Sequence, residues 1–383
     1  MIPYGRQHID EGDIEAVVSA LRSDFLTQGP RVTDFEQAVC DHVGARHGIA
    51  VNSATSALHI ACMALELGAG DALWCPANTF LATANCARYC SADVDFIDID
   101  AQTYNLSVPA LAAKLLEAAT AGQLPKVVVA VHFAGQSCDM QGIDALAKRY
   151  GFRVIEDASH AIGSRYQGQP VGDCRYSDIT VFSFHPVKIV TTAEGGLAVT
   201  NDDTLAQRMA LARSHGMTRD PELMVGNSEG AWYYEQVTLG YNYRMTELQA
   251  ALGLQQMKSI DRFVARRHEL AARYDRLLAG LPLRTPFQAP DSHSALHLYP
   301  VVLNDVARRR EVFDGMRAAG VLVNVHYIPV YLQPYYRELG HQRGKCPQAE
   351  AYYAGAISLP LYFDLTDAQQ DQVVGVLSSL VKA

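Results

Sequence analysis

The chain has 383 residues and a formal net charge of −9, with 32 basic against 41 acidic side chains. That acidic balance gives no footing for nucleic acid or an anionic membrane surface as a partner, although it leaves room for a local cationic pocket. The length predicts a large α/β domain with a smaller one attached. The opening MIPYGRQHIDEGD lacks the basic and apolar regions of a secretory signal. No apolar stretch approaches the roughly 20 residues that a membrane span needs. Eight cysteines are scattered without a CxxC pair, so a reduced, cytoplasmic protein is expected.

In chain order, residues 10–23 place Ile14, Val17, Val18 and Leu21 on one helical stripe. Strands are then expected at 48–52, 72–75, 94–98, 126–133, 152–157, 178–184 and 196–200, with helical patterns such as 56–67 and 140–150 between them. Continuous apolar strands alternating with helices predict a mainly parallel sheet covered on both faces. The last strand follows a short Gly-Gly turn and is open to an antiparallel direction. From Thr246 a helical pattern runs to about residue 280, long enough to bridge two domains. Beyond it, 296–303 and 321–331 read as strands with a helix at 308–319 between them. The expected division is a large domain over 1–255 and a small one over 256–383.

Three polar clusters fall where parallel sheets place their ligands, outside the carboxyl ends of strands. Asn52-Ser53-Ala54-Thr55-Ser56 follows one strand and opens a helix, where free N–H groups and the helix dipole can hold a phosphate; taken alone it equally describes an ordinary N-cap. Asp157 ends the strand RVIED. A carboxylate there needs a donor or a cation: a protonated pyridine nitrogen is one candidate, and neighbouring backbone is another. The third cluster is Ser183-Phe184-His185-Pro186-Val187-Lys188, a strand-end serine followed five residues on by a lysine in an uncharged stretch. A desolvated lysine loses its proton more readily, as a covalent carbonyl-binding amine requires. Together, in this order, the three point to a pyridoxal-phosphate enzyme with Lys188 as its Schiff-base lysine.

With SDFLTQGP, NSATSALH, PANTFLATAN, EDASHAIGS, SFHPVK, TTAEGG, RSHGM, GYNYRMTELQAALG, HLYP, VHYIPVY and ISLP spread along its length, the chain resembles the DegT/StrS-type nucleotide-sugar aminotransferases. The resemblance implies an α/β fold-type I pyridoxal-phosphate transferase: a mainly parallel seven-stranded sheet with helices on both faces and a smaller C-terminal α/β domain. It implies pyridoxal 5'-phosphate as cofactor, carried by Lys188. Asp157 pairs with the ring nitrogen, His160 stands near the ring hydroxyl and Phe80 lies on the ring face. Ala54, Thr55 and Ser183 hold the phosphate, and Asn242 reaches it from a neighbouring subunit, which implies a homodimer with shared sites. Tyr4, Asp24, Phe25, Leu26, Thr27, Val325, His326, Tyr327 and Ile328 are the implied nucleotide-sugar contacts. Ile189 stands where relatives often carry another residue.

Within the family, SDFLTQGP, SFHPVK, TTAEGG, RSHGM and VHYIPVY resemble the enzymes of pseudaminic acid biosynthesis. These aminate C4 of UDP-2-acetamido-2,6-dideoxy-β-L-arabino-hexos-4-ulose with L-glutamate as donor. Aminotransferases of other UDP- or dTDP-keto sugars differ only in their sugar contacts. A sugar 3-dehydratase of the same fold carries histidine in place of Lys188. A non-catalytic amino-sugar or cofactor-binding regulator has no need of the lysine. A nicotinamide dehydrogenase is disfavoured by the absence of GxGxxG after an early strand.

Overall fold

The computed structural model describes residues 1–382. The chain opens with α1 (Glu11–Leu21) and α2 (Pro30–Val43), then β1 (His47–Val51), α3 (Ala54–Ala64), β2 (Ala72–Pro76), α4 (Leu81–Tyr89) and β3 (Asp93–Ile97). It continues through α5 (Val108–Ala121), β4 (Val127–Val131), α6 (Met140–Tyr150), β5 (Arg153–Asp157), β6 (Ile179–Ser183), β7 (Gly196–Thr200) and α7 (Asp203–Arg213). Each of the seven expected strands is present within two residues of its expected ends.

The strands form one sheet in the order β3-β2-β4-β5-β6-β7-β1. All are parallel except β7, which runs antiparallel to both β6 and β1. β4 (VVVAV) is buried throughout, and its residues alternate between two cores. Val127, Val129 and Val131 face the cluster that takes in α3, α4 and α7. Val128 and Ala130 face Leu111 and Leu115 of α5 and Ile143 of α6. Burial of each such side chain contributes about 1.5–3 kcal/mol, so a strand covered on both faces tolerates polar residues only at its ends. Strand alternation also sends Glu156 away from Asp157. Glu156 accepts from Ser177 and Thr180 and meets His132 Nε2 at 2.7 Å.

The expected single helix beyond Thr246 is two, α8 (Glu247–Met257) and α9 (Ile260–Leu277). Ser259, with φ −107° and ψ 4°, breaks the helical backbone between them. α9 serves two cores: Phe263 and Val264 pack with α2 and α8, while Leu270, Ala271 and Tyr274 pack with the C-terminal layer. That layer is built on the antiparallel strands β8 (Leu283–Arg284), β9 (Tyr299–Leu303) and β10 (Ala356–Leu359). The N-terminal Ile2–Pro3 joins it by pairing with Val321–Leu322.

One local expectation needs correction, and one helix face is notable. The apolar stripe of α1 points away from the core: Ile14 and Leu21 are 47% and 56% exposed, whereas Asp13 and Ala20 are buried. Asp13 accepts from Gln256 of α8 at 2.7 Å while closing a capping box with Asp10, so the polar edge is the packed one. The stretch 321–331 is a strand only over Val321–Leu322. After a single bridge from Asn324 to Ser358 its backbone turns to the residues that follow β2: Tyr327 N–H donates to Asn78 Oδ1 at 3.0 Å and Val330 N–H to Ala77 O at 3.0 Å.

Candidate active site

β1, β5 and β6 deliver their carboxyl ends to one edge of the sheet, and the crossing segment 323–329 closes over it. Between them lies a cavity of about 560 Å³. Of the residues expected from sequence, Tyr4, Ala54, Thr55, Phe80, Asp157, His160, Ser183, Lys188, Val325, His326 and Tyr327 line it.

Asp157 is 5% exposed at the end of β5. Its Oδ2 accepts from Thr83 Oγ1 at 2.6 Å, and its Oδ1 from Ser159 Oγ at 2.6 Å and Ser159 N–H at 3.2 Å. These donors fix the carboxylate without neutralising it, so its charge is directed at whatever occupies the cavity. Lys188 sits in a loop closed by Lys188 N–H to His185 O, Thr192 N–H to Phe184 O and Phe184 N–H to Gly195 O. Burial lowers its pKa to about 8, against the opposing pull of the Asp157 charge. An amine in that range is a nucleophile near neutral pH.

Across from it, Ser53 caps α3 by accepting from Ser56 N–H at 3.2 Å. The N–H groups of Ala54 and Thr55, at the first two helical positions, have no intrahelical acceptor. This turn fits tightly against β7, because a Cβ on Gly196 would lie 2.4 Å from the Ala54 nitrogen. Unpaired N–H groups at a helix N-terminus, with Ser183 beside them, suit a phosphate. An aromatic face (Phe80), a fixed carboxylate, a phosphate turn and a desolvated lysine are the groups that a pyridoxal phosphate requires, and the residues present fit it. When bound, that cofactor supplies an electron sink for a carbanion.

Four histidines, His160, His185, His297 and His326, line the same cavity. Burial holds His160 and His297 well below the usual imidazole range and lowers His326 to about 3. Thr83, Ser159, His297 and Asn324 line the site without having been singled out from sequence. Ser159 carried a legible signal, a hydroxyl two residues after the carboxylate; the others carried none.

Asp24, Phe25, Leu26, Thr27, Asn242 and Ile328 lie outside the cavity. Asp24, Phe25, Leu26, Thr27 and Asn242 are exposed, and Ile328 is 42% exposed. Thr27 bridges Thr246, and Leu26 O accepts from Glu247 N–H at 3.0 Å, which sets the 24–27 segment against the chain just after Asn242.

The profile of the DegT/DnrJ/EryC1/StrS aminotransferase family matches residues 7–378. The chain is 37% identical over 390 residues to a UDP-4-amino-4,6-dideoxy-N-acetyl-beta-L-altrosamine transaminase of Campylobacter jejuni, covering 100% of this chain and 99% of that protein. It is 38% identical over 387 residues to the spore coat polysaccharide biosynthesis protein SpsC of Bacillus subtilis, covering 100% and 97%. Among solved structures it is similar to Helicobacter pylori PseC, an aminotransferase involved in the biosynthesis of pseudoaminic acid. That match has a TM-score of 0.92 and 31% identity and covers 100% of this chain and 99% of that one. The putative sugar aminotransferase Spr1654 of Streptococcus pneumoniae, solved in a PMP-form, matches with a TM-score of 0.90 at 29% identity, covering 100% and 99%. The chain belongs to the DegT/DnrJ/EryC1/StrS aminotransferase family and is an aminotransferase.

Proposed function

We propose that the protein uses pyridoxal 5'-phosphate to transfer the amino group of L-glutamate to C4 of UDP-2-acetamido-2,6-dideoxy-β-L-arabino-hexos-4-ulose. The product is UDP-4-amino-4,6-dideoxy-N-acetyl-β-L-altrosamine, within pseudaminic acid biosynthesis. The observation that carries the chemistry is the half-buried Lys188 amine set in one cavity with the fixed Asp157 carboxylate and the α3 phosphate turn. The sugar rests on the names of the Campylobacter relative and the Helicobacter structure.

In this reading Lys188 holds the cofactor, is displaced by the amino donor, and then moves a proton to and from the reacting carbon in both half-reactions. Asp157 keeps the ring nitrogen charged. Phe80, Ala54, Thr55 and Ser183 hold the ring and phosphate, and Tyr4, Val325, His326 and Tyr327 form the wall that meets the sugar. The working unit is a homodimer. Its support is the exposed apolar face that Ile14, Leu21, Phe25 and Leu26 present, a kind of patch that marks an interaction surface. The same part of the surface carries Asp24, Thr27 and Asn242, site residues that do not reach their own cavity.

Mass spectrometry of the product from the purified protein, L-glutamate and the L-configured keto sugar tests the assignment. A gain of one amino group with this sugar and none with D-configured 4-keto sugars is expected. Equal turnover of both removes the pathway assignment and leaves the aminotransferase.

A further inference from the structure

Amino transfer to a ketone also needs a group at the carbonyl oxygen. When an amine adds to a ketone, the carbonyl oxygen gains negative charge and later leaves as water, and the reverse holds when a ketone is released. A preorganised hydrogen-bond donor at that oxygen accelerates both directions. Lys188 works at carbon and nitrogen, so a second group is required.

The cavity's hydrogen bonds commit His326 and His160 and leave the Tyr327 hydroxyl without an acceptor among the described residues. The buried Nδ1 of His297 also lacks a partner, but a neutral imidazole can place its single proton on the other nitrogen, whereas the hydroxyl always carries one. His326 receives Asn324 Nδ2 at 3.4 Å on Nε2 and contacts Ser358 Oγ at 2.8 Å through Nδ1. An amide NH₂ only donates, so Nε2 accepts and the ring proton sits on Nδ1, directed at Ser358. His160 is also committed. The Ala134 N–H donates to its Nδ1 at 3.3 Å, which puts the ring proton on Nε2, and Nε2 lies 3.1 Å from Tyr327 Oη. His160 therefore donates and the Tyr327 oxygen accepts. With that lone pair engaged, the Tyr327 hydroxyl proton is turned away from His160, and it meets no acceptor among the described residues. Its ring is held by Phe133 at 6.3 Å and 75° and lies near-parallel to His160 at 6.2 Å and 21°. The Tyr327 backbone is anchored on Asn78. Burial raises the phenol pKa, so the hydroxyl keeps its proton throughout the neutral range.

We propose that Tyr327 is a catalytic residue that donates a hydrogen bond to the carbonyl oxygen of the ketone entering or leaving the site. His160 is a positioning residue that aims this hydroxyl. Tyr327 gives up no proton in this role. The proposal rests on the aminotransferase reading above.

The test is Tyr327→Phe in the cofactor-loaded protein, followed by stopped-flow absorbance and product assays. Bleaching of the bound cofactor by glutamate involves no carbonyl oxygen, whereas 2-oxoglutarate release and sugar amination both do. Loss of one such donor typically costs on the order of 10²–10³ in rate. The variant is expected to slow sugar amination and 2-oxoglutarate release at least about 30-fold more than glutamate bleaching. Because the ratio is read within one folded population, a loss of folded protein does not mimic it. His160→Phe is expected to shift the ratio the same way by less, and adding it to Tyr327→Phe to change the ratio no further. Equal slowing of all steps, the result expected of a hydroxyl that serves the cofactor instead, overturns the proposal. So does a ratio that matches the wild type. If the wild-type protein itself fails to bleach with glutamate, the aminotransferase reading falls first and this inference with it.

Discussion

The amine of Lys188 is partly desolvated without a salt-bridge partner, and that has a measurable cost. Its pKa falls from 10.5 in a solvated chain to about 8 in the folded protein, chiefly through burial. At 1.36 kcal/mol per unit, the charged form is disfavoured in the fold by about 3 kcal/mol. Below pH 8 the amine is charged in both states and the whole penalty applies. Between about 8 and 10.5 the unfolded chain binds more protons than the folded one, so stability rises with pH. Above 10.5 the penalty is gone. Lys188→Met, of similar length and without charge, should stabilise the cofactor-free protein at pH 7 by about 3 kcal/mol, with a difference that shrinks to near zero above pH 10.5. Urea denaturation of both proteins at pH 7, 9 and 10.5 measures this. The same shift makes the amine reactive: at pH 8 about half is uncharged, against roughly one in 300 for an ordinary lysine. The rate at which cofactor-free protein captures pyridoxal phosphate, trapped with borohydride, should therefore rise with a midpoint near 8. Equal stability of the two proteins at pH 7, or a capture midpoint near 10, refutes the reasoning.

Asp157→Asn removes the fixed charge while keeping the shape, and should weaken cofactor binding about 10- to 100-fold, as expected of a lost charge-assisted hydrogen bond; absorbance titration reads it, and unchanged affinity contradicts the assignment. Mixing Lys188→Ala with Asn242→Asp, each inactive alone, should restore activity through mixed dimers in which one site has both native residues; no recovery after subunit exchange argues against shared sites. Fully buried Glu247 accepts from the N–H groups of Gly29, Arg31 and Val32. Glu247→Gln should therefore cost about 1–3 kcal/mol in denaturation and speed amide exchange over residues 24–32. Stability and exchange like the wild type would show that this carboxylate does not anchor the segment.

Much of the site could be read from sequence because it is local. Asp157, Ser183 and the Asn52–Ser56 turn each follow an apolar strand, and a parallel sheet brings strand ends together whatever lies between. Lys188 is fixed five residues after such an end. Other parts depend on contacts that no local pattern carries. Thr83 reaches Asp157 from α4, 74 residues away. The 321–331 stretch reads as a strand because it is rich in β-branched and aromatic residues, yet the N–H groups of Tyr327 and Val330 find Asn78 and Ala77, just after β2. The stripe on α1 was periodic as expected but turned outward, since Asp13 finds Gln256 at a separation of 243 residues. Periodicity marks an apolar face but not which surface covers it.

The most direct test of the central claim is the visible absorbance of the purified protein, before and after L-glutamate and then a UDP-4-keto-6-deoxy sugar. The account predicts a yellow band that glutamate bleaches and the L-configured keto sugar restores. A protein that shows no band after addition of pyridoxal phosphate, while folded and with Lys188 intact, contradicts it.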